Sequence, residues 1–152
     1  MTYDNSVEQS QIFSRAYFKL WEILELGVLS EFKCKPLTIG CVAEGPGGFI
    51  HALIDYREKQ HLGVDCPPRD YYYAITLRMD GSTRNAKDWS DNRGKRLFGT
   101  LRGFGYKIRL SYGKTGTGDL LKPENIEAFQ EEIGKKCELV TGDGGIECIG
   151  DK

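Results

Sequence analysis

Leu37-Thr38-Ile39-Gly40-Cys41-Val42-Ala43, followed by Glu44-Gly45-Pro46-Gly47-Gly48 and then Phe49-Ile50-His51-Ala52-Leu53-Ile54, is the stretch that decides the architecture. Its first seven residues are a short apolar run of strand type. Its last six carry Phe49, Ile50, Leu53 and Ile54 at the spacing of a helix face. Between them lies a glycine turn. In doubly wound sheets this turn is where a nucleotide-like ligand docks, because glycines let the backbone approach it and the helix N-terminus offers free N–H groups. The turn lacks the Lys-Ser/Thr of a phosphate-binding P-loop, and its spacing is not G-x-G-x-x-G. Taken alone, it is equally a tight connection between two elements.

Downstream, Tyr71 to Leu77 reads as a second strand, and Tyr106, Ile108 and Leu110 alternate with Lys107 and Arg109 in a third. Pro123 opens a helix with Glu124 and Glu127 in its first turn, where negative charge suits the helix dipole, and Gly134 ends it. Ile126, Phe129 and Ile133 are its expected buried face. Cys137 to Thr141 is a fourth strand, running into Gly142-Asp143-Gly144-Gly145. Residues 78–105 read as a long loop with a helical piece around 93–102. Upstream, Phe13, Tyr17, Leu20, Trp21 and Leu24 form one stripe of a helix over 14–26, with Arg15, Lys19 and Glu22 opposite and Gly27 as its stop. Strand–helix alternation predicts an α/β fold, a doubly wound and mostly parallel sheet of order 3-2-1-4 covered on both faces, in a single domain over 1–152.

Composition narrows the function classes. The 152 residues are 39% hydrophobic and 11% aromatic, too apolar for a disordered chain and long enough for one core. A formal net charge of -1 excludes a globally basic nucleic-acid coat, yet residues 78–109 alone are net +6. A basic segment inside a near-neutral domain suits one anionic partner. No apolar run approaches the roughly 20 residues of a membrane span, and the polar start Met1-Thr2-Tyr3-Asp4-Asn5 is no signal peptide. No membrane partner is expected. Five cysteines without a C-x-x-C pair point to a reducing, intracellular setting rather than a disulfide framework or metal site. Nucleus and cytoplasm, a viral replication site included, are not distinguished.

Three blocks carry a resemblance: Ser14-Arg15-Ala16-Tyr17-Phe18-Lys19-Leu20; Ala43-Glu44-Gly45-Pro46-Gly47-Gly48-Phe49; and a third stretch. The third comprises Tyr112-Gly113, Gly118-Asp119-Leu120, Pro123-Glu124-Asn125-Ile126 and Val140-Thr141-Gly142-Asp143-Gly144-Gly145. In this order, over residues 14 to 147, the sequence resembles the FtsJ-like (RrmJ-type) ribose 2′-O-methyltransferases, most closely the branch that methylates capped mRNA. The resemblance implies a Rossmann-like methyltransferase fold, S-adenosylmethionine (SAM) as cofactor, and methyl transfer to a ribose 2′-hydroxyl of RNA, most closely the cap-proximal nucleotide of mRNA. It implies cofactor contacts at Glu44, Gly45, Pro46, Gly47, Gly48 and Phe49, with Asp119 near the adenosine. The family uses a Lys-Asp-Lys-Glu tetrad, in which Lys19 matches the first lysine and Asp143 the aspartate. The central role, taking the hydroxyl proton, belongs to the second lysine, with the others positioning and tuning it.

Each of these residues also has a plainer reading. Lys19 and Glu22 make an ordinary exposed helix pair, and Asp143 in Gly-Asp-Gly-Gly is a turn residue. The first and fourth strands flank the topological switch point, however, and that puts Asp143 beside the glycine turn. Asp119 is also a cap or turn residue before Pro123. Arg15, Arg78, Arg84, Arg93 and Arg96 are candidates to face RNA phosphates; a solvated loop is the alternative for the basic stretch.

The sequence departs from the family pattern in two places. Cys41 stands where many members have an aspartate, with Glu44 three residues later as its substitute. The second lysine and the glutamate normally follow with three further strands, and Glu147 and Lys152 come too soon to fill those places. The expectation is therefore the N-terminal part of a methyltransferase domain, truncated after the fourth strand. Alone it would be inactive and prone to associate through residues 137–149, its partner being the remaining C-terminal part or another chain. The other readings are a ribosomal or transfer RNA 2′-O-methyltransferase and a catalytically incomplete SAM- or RNA-binding module.

Overall fold

A computed structural model describes Ile12, residues 14–78, Trp89 and residues 92–144. Helix α1, Arg15–Leu24, starts where Ser14 turns from extended backbone and its Oγ accepts the Ala16 N–H at 3.3 Å. Tyr17, Leu20 and Leu24 are buried as the stripe requires, while Arg15, Lys19 and Glu22 face solvent. The expected end at Leu26 overshoots by two residues. Leu26 falls off the stripe and is 83% exposed, so nothing holds another turn there. Gly27, at φ +88°, reverses the chain into a 3-10 turn over Ser30–Phe32.

Four strands follow with three more helices: β1 Thr38–Val42, α2 Gly48–Gln60, β2 Tyr71–Ile75, α3 Asn92–Gly103, β3 Lys107–Ser111, α4 Pro123–Ile133 and β4 Leu139–Gly142. The sheet is all-parallel with order β3-β2-β1-β4, as the alternation predicts. Ile39 pairs with Tyr72 and Leu139, and Tyr72 with Ile108, so one face of the sheet carries Ile39, Cys41, Tyr72 and Ala74. These meet Leu20, Leu24, Ile50, Leu53, Leu97, Phe98 and Leu101 from α1, α2 and α3 in one core. The opposite face takes α4, where a Cβ on Gly40 would meet Ile133 Cδ1 at 3.7 Å.

Three expectations change. The β2 strand stops at Ile75 rather than Leu77: the next residue, Thr76, pairs with the glycine turn instead, its hydroxyl accepting the Gly45 N–H at 3.0 Å. On α4, Phe129 is buried but Ile126 is 40% exposed, and the fully buried residue is Asn125, whose amide is the hub of a polar loop. The fourth strand runs Leu139–Gly142 rather than Cys137 to Thr141; Leu139 leans into the core and its neighbour Val140, pointing the other way, is 64% exposed. Among the described residues, no helix is long and apolar enough to cross a membrane, and no cluster of His, Cys, Asp or Glu could hold a metal.

Candidate active site

The C-terminal ends of β1, β2 and β4 and the loop 112–121 meet at one end of the sheet. Leaving β1, Ala43 adopts φ +54°, a left-handed conformation uncommon outside glycine. The turn then folds across the tip of β2: Glu44 N–H donates to the Ile75 carbonyl at 3.2 Å, and Gly45 N–H to Thr76 Oγ1. Gly47 sits at φ +122°, where a Cβ would come within 2.7 Å of Phe98 on α3. Gly48 lies as close to Ser14, so a Cβ there would be 2.6 Å from its Oγ. Pro46, Gly47, Gly48 and Phe49 are all buried. The glycines thus admit protein rather than open a ligand path over Gly47, and the half-buried, approachable part of the turn is Ala43 and Gly45.

Glu44 points inward. Its Oε1 accepts the Ile50 N–H at 2.8 Å, capping α2 where Gly47 has no side chain to do so. Burial pushes its carboxyl up to about 8, against the pull of the Ile50 and Phe49 N–H groups; the charge of Asp143 pushes it further up. In this arrangement Glu44 serves the helix end, not the cleft.

The second wall is built by Asn125. Its Oδ1 accepts from Thr115 N–H at 2.8 Å and its Nδ2 donates to the Asp119 carbonyl at 2.9 Å, drawing the loop 113–119 over the end of β2. Gly118, at φ +66°, passes so close to the Thr76 carbonyl that a Cβ would sit 1.6 Å from its oxygen. Between these walls is a cavity of about 200 Å³ lined by Ala43, Thr76, Leu77, Gly118, Asp119, Leu120 and Leu121. Asp119 keeps its turn role as well, its Oδ1 accepting the Leu121 N–H at 2.9 Å. Thr76, Leu77 and Leu121 were not singled out in the sequence, although they follow a strand next to the switch point, a place topology alone would have flagged.

Lys19 and Asp143, 124 residues apart, meet just past the end of β4, where the Asp143 charge also acts on Glu44: Lys19 Nζ lies 3.2 Å and 3.3 Å from the two carboxylate oxygens. Lys19 is held from behind by its helix. Tyr17 donates its hydroxyl to Asp55 Oδ2 of α2 at 2.6 Å, and His51 Nε2 approaches the same oxygen at 3.5 Å. Burial pushes His51 down to about 4, so the imidazole is neutral.

Arg15 is exposed one turn from Lys19. Arg78 donates its N–H to the Thr117 carbonyl at 2.7 Å and lays its guanidinium 5.1 Å from the Tyr112 ring centre. Arg93 and Arg96 are exposed on the first turns of α3, beside the glycine turn, since a Cβ on Gly94 would lie 3.1 Å from the Pro46 carbonyl. Arg84, Gly145, Glu147 and Lys152 lie outside the described residues.

No curated protein and no solved structure matches the chain. The family model described as FtsJ-like methyltransferase matches residues 12–152. FtsJ-like methyltransferases generally use S-adenosyl-L-methionine, and the family points to RNA 2′-O methylation in general. A parallel sheet of order β3-β2-β1-β4, a glycine turn beside a cleft and a match over nearly the whole length lead to one conclusion: this chain belongs to the FtsJ-like methyltransferase family.

Proposed function

We propose that this chain binds SAM in the 200 Å³ cleft and methylates a ribose 2′-hydroxyl of RNA at the Lys19–Asp143 pair, with the cap-proximal nucleotide of mRNA as substrate. The observation that carries the reading is that pair, a cation and a carboxylate brought from opposite ends of the chain to the C-terminal end of the sheet. The residues fit the cofactor. The N–H groups at the start of α2 already have the Glu44 carboxyl group, so a phosphate finds no vacant anion site there, and no P-loop lysine accompanies the turn. A cofactor bearing a positive sulfonium suits a site with Asp119 in its lining. Leu77 and Leu121 offer apolar surface for a base, and Asp119 an acceptor for ribose hydroxyls.

SAM supplies an electrophilic methyl group when bound. Lys19, oriented by Asp143, holds the target oxygen by charge-assisted hydrogen bonding and stabilises the negative charge that develops on it. The second lysine and the glutamate of the family tetrad have no counterpart among the described residues, and the proton acceptor belongs with them. Arg15, Arg78, Arg93 and Arg96 are exposed and suit RNA phosphates. The cap assignment rests on Gly118-Asp119-Leu120 with Pro123-Glu124-Asn125-Ile126, two blocks that Asn125 ties into one wall of the cleft.

The test is methyl transfer by the protein. Lys19→Ala and Asp143→Ala are each expected to lower turnover by about 100-fold or more with SAM affinity retained. Leu77→Glu and Leu121→Glu, at exposed positions, are expected to weaken SAM binding without unfolding. Parental rates in both the Lys19 and the Asp143 variant would overturn the catalytic assignment, and equal rates on capped and uncapped RNA would overturn the cap assignment.

A further inference from the structure

Four side chains on the sheet face opposite the main core belong to none of the machinery above. The β2–β3 register sets Tyr71 against Lys107 and Tyr73 against Arg109, all four on that face. Tyr71 is 38% exposed, and Lys107 and Arg109 stand in solvent. They line a shallow hollow of about 260 Å³. Beyond α4, Lys135 brings its Nζ to 4.8 Å from the centre of the Tyr71 ring, a third cation at the hollow. Carboxylates on the neighbouring segments are engaged locally: Asp70 pairs with Arg57 at 2.7 Å, Glu132 accepts the Ser111 hydroxyl at 2.9 Å and Glu138 the Thr38 N–H at 2.6 Å. Among the described residues no strand pairs beyond β3, so the hollow is approachable from the sheet edge.

We propose that this hollow is a second contact for the RNA strand, a platform on which unpaired nucleotides outside the reaction cleft stack on Tyr71 and Tyr73 while Lys107, Arg109 and Lys135 take their phosphates. The proposal rests on the RNA reading above. The chemistry is that of sequence-tolerant single-strand binding, in which aromatic faces receive bases and a cationic border tracks the backbone. The two tyrosines are two residues apart on one strand, about 7 Å, which offers successive π-faces rather than one isolated ring. A purely apolar partner would leave three cations desolvated without counter-charge. An RNA supplies that charge.

The experiment measures binding of a fluorescently labelled, unstructured pyrimidine RNA to the protein, by anisotropy across a salt series, with a long and a short oligonucleotide. Tyr71→Ala is expected to weaken the long RNA about tenfold, and Tyr71→Phe to restore it. Lys107→Ala with Arg109→Ala is expected to lower the salt slope by about 1.4, the loss of two single-strand phosphate contacts. SAM affinity and turnover on the short RNA stay at parental values, while KM for the long RNA rises. Parental affinity and salt slope in these variants would overturn the platform, as would a loss of self-association in place of a loss of RNA binding. Should the Lys19 and Asp143 variants keep their methyl transfer while Tyr71→Ala still loses RNA, the catalytic reading falls and the platform stands.

Discussion

Replacing Glu44 by Gln tests whether a buried carboxyl, rather than a ligand-facing one, closes the glycine turn. Glu44 is 4% exposed and its carboxyl is pushed up to about 8 by burial. The unfolded chain releases that proton near the ordinary glutamate value of 4.5. The folded chain therefore holds a proton that the unfolded chain has lost. The resulting stability is complete below 4.5 and falls away as the pH rises through 8. His51 and His61, whose values are lowered by burial, and Cys41 and Cys137, whose values are raised by it, also contribute between about 6.5 and 8.5, so the Glu44 contribution is read as the difference between parent and variant across that range. Across it the parent is expected to lose about 2 kcal/mol from this group alone. Glu44→Gln keeps an oxygen for the Ile50 N–H but cannot ionise, so it lacks this loss. Denaturant unfolding at pH 6.5 and pH 8.5 reads the difference directly, and in thermal unfolding the same difference is about 4 to 8 °C. Identical pH slopes for parent and variant would show that Glu44 is ionised in the folded protein and that the inward cap is misassigned.

Two further outcomes follow from the same geometry. His51, buried and neutral beside Asp55, contributes stability that is present above about 6.5 and lost as the pH falls through 4. His51→Gln is expected to flatten that acid limb by about 3 kcal/mol, and an unchanged acid midpoint would refute it. Gly118→Ala would force a Cβ to 1.6 Å from the Thr76 oxygen at φ +66°, so it is expected to cost more than about 1 kcal/mol and to abolish SAM binding with the cleft wall. Calorimetry and melting that match the parent would refute the close approach. Gly47→Val is a poor probe of cofactor contact for the same reason, because its side chain would strike Phe98 before any ligand.

The strand order and the four helices were legible because they rest on local periods. Tyr106, Ile108 and Leu110 at the third strand, and Tyr17, Leu20 and Leu24 on α1, repeat at spacings that a single chain segment displays by itself. Element ends were less legible. Thr76 and Leu77 look like strand residues, yet the Thr76 hydroxyl accepts the Gly45 N–H and Leu77 lines the cleft, both beyond the end of β2. Asn125 reads as an ordinary helix residue in its Pro-Glu-Asn-Ile context, and only its five hydrogen-bond distances to Thr115, Thr117 and Asp119 give it a structural task.

Sequence alone determined the class of fold, the family and the identity of the residues available for chemistry, because hydrophobic period and motif order are properties of neighbours along the chain. Tertiary structure decided what those residues face. The ion pair of Lys19 with Asp143 depends on a contact across 124 residues. The burial of Glu44, the occlusion of Gly47 and Gly48 by Phe98 and Ser14, and the pairing of Tyr71 with Lys107 likewise depend on which segments pack together. Burial and approach are set by the packing of distant segments, and no local pattern carries that information.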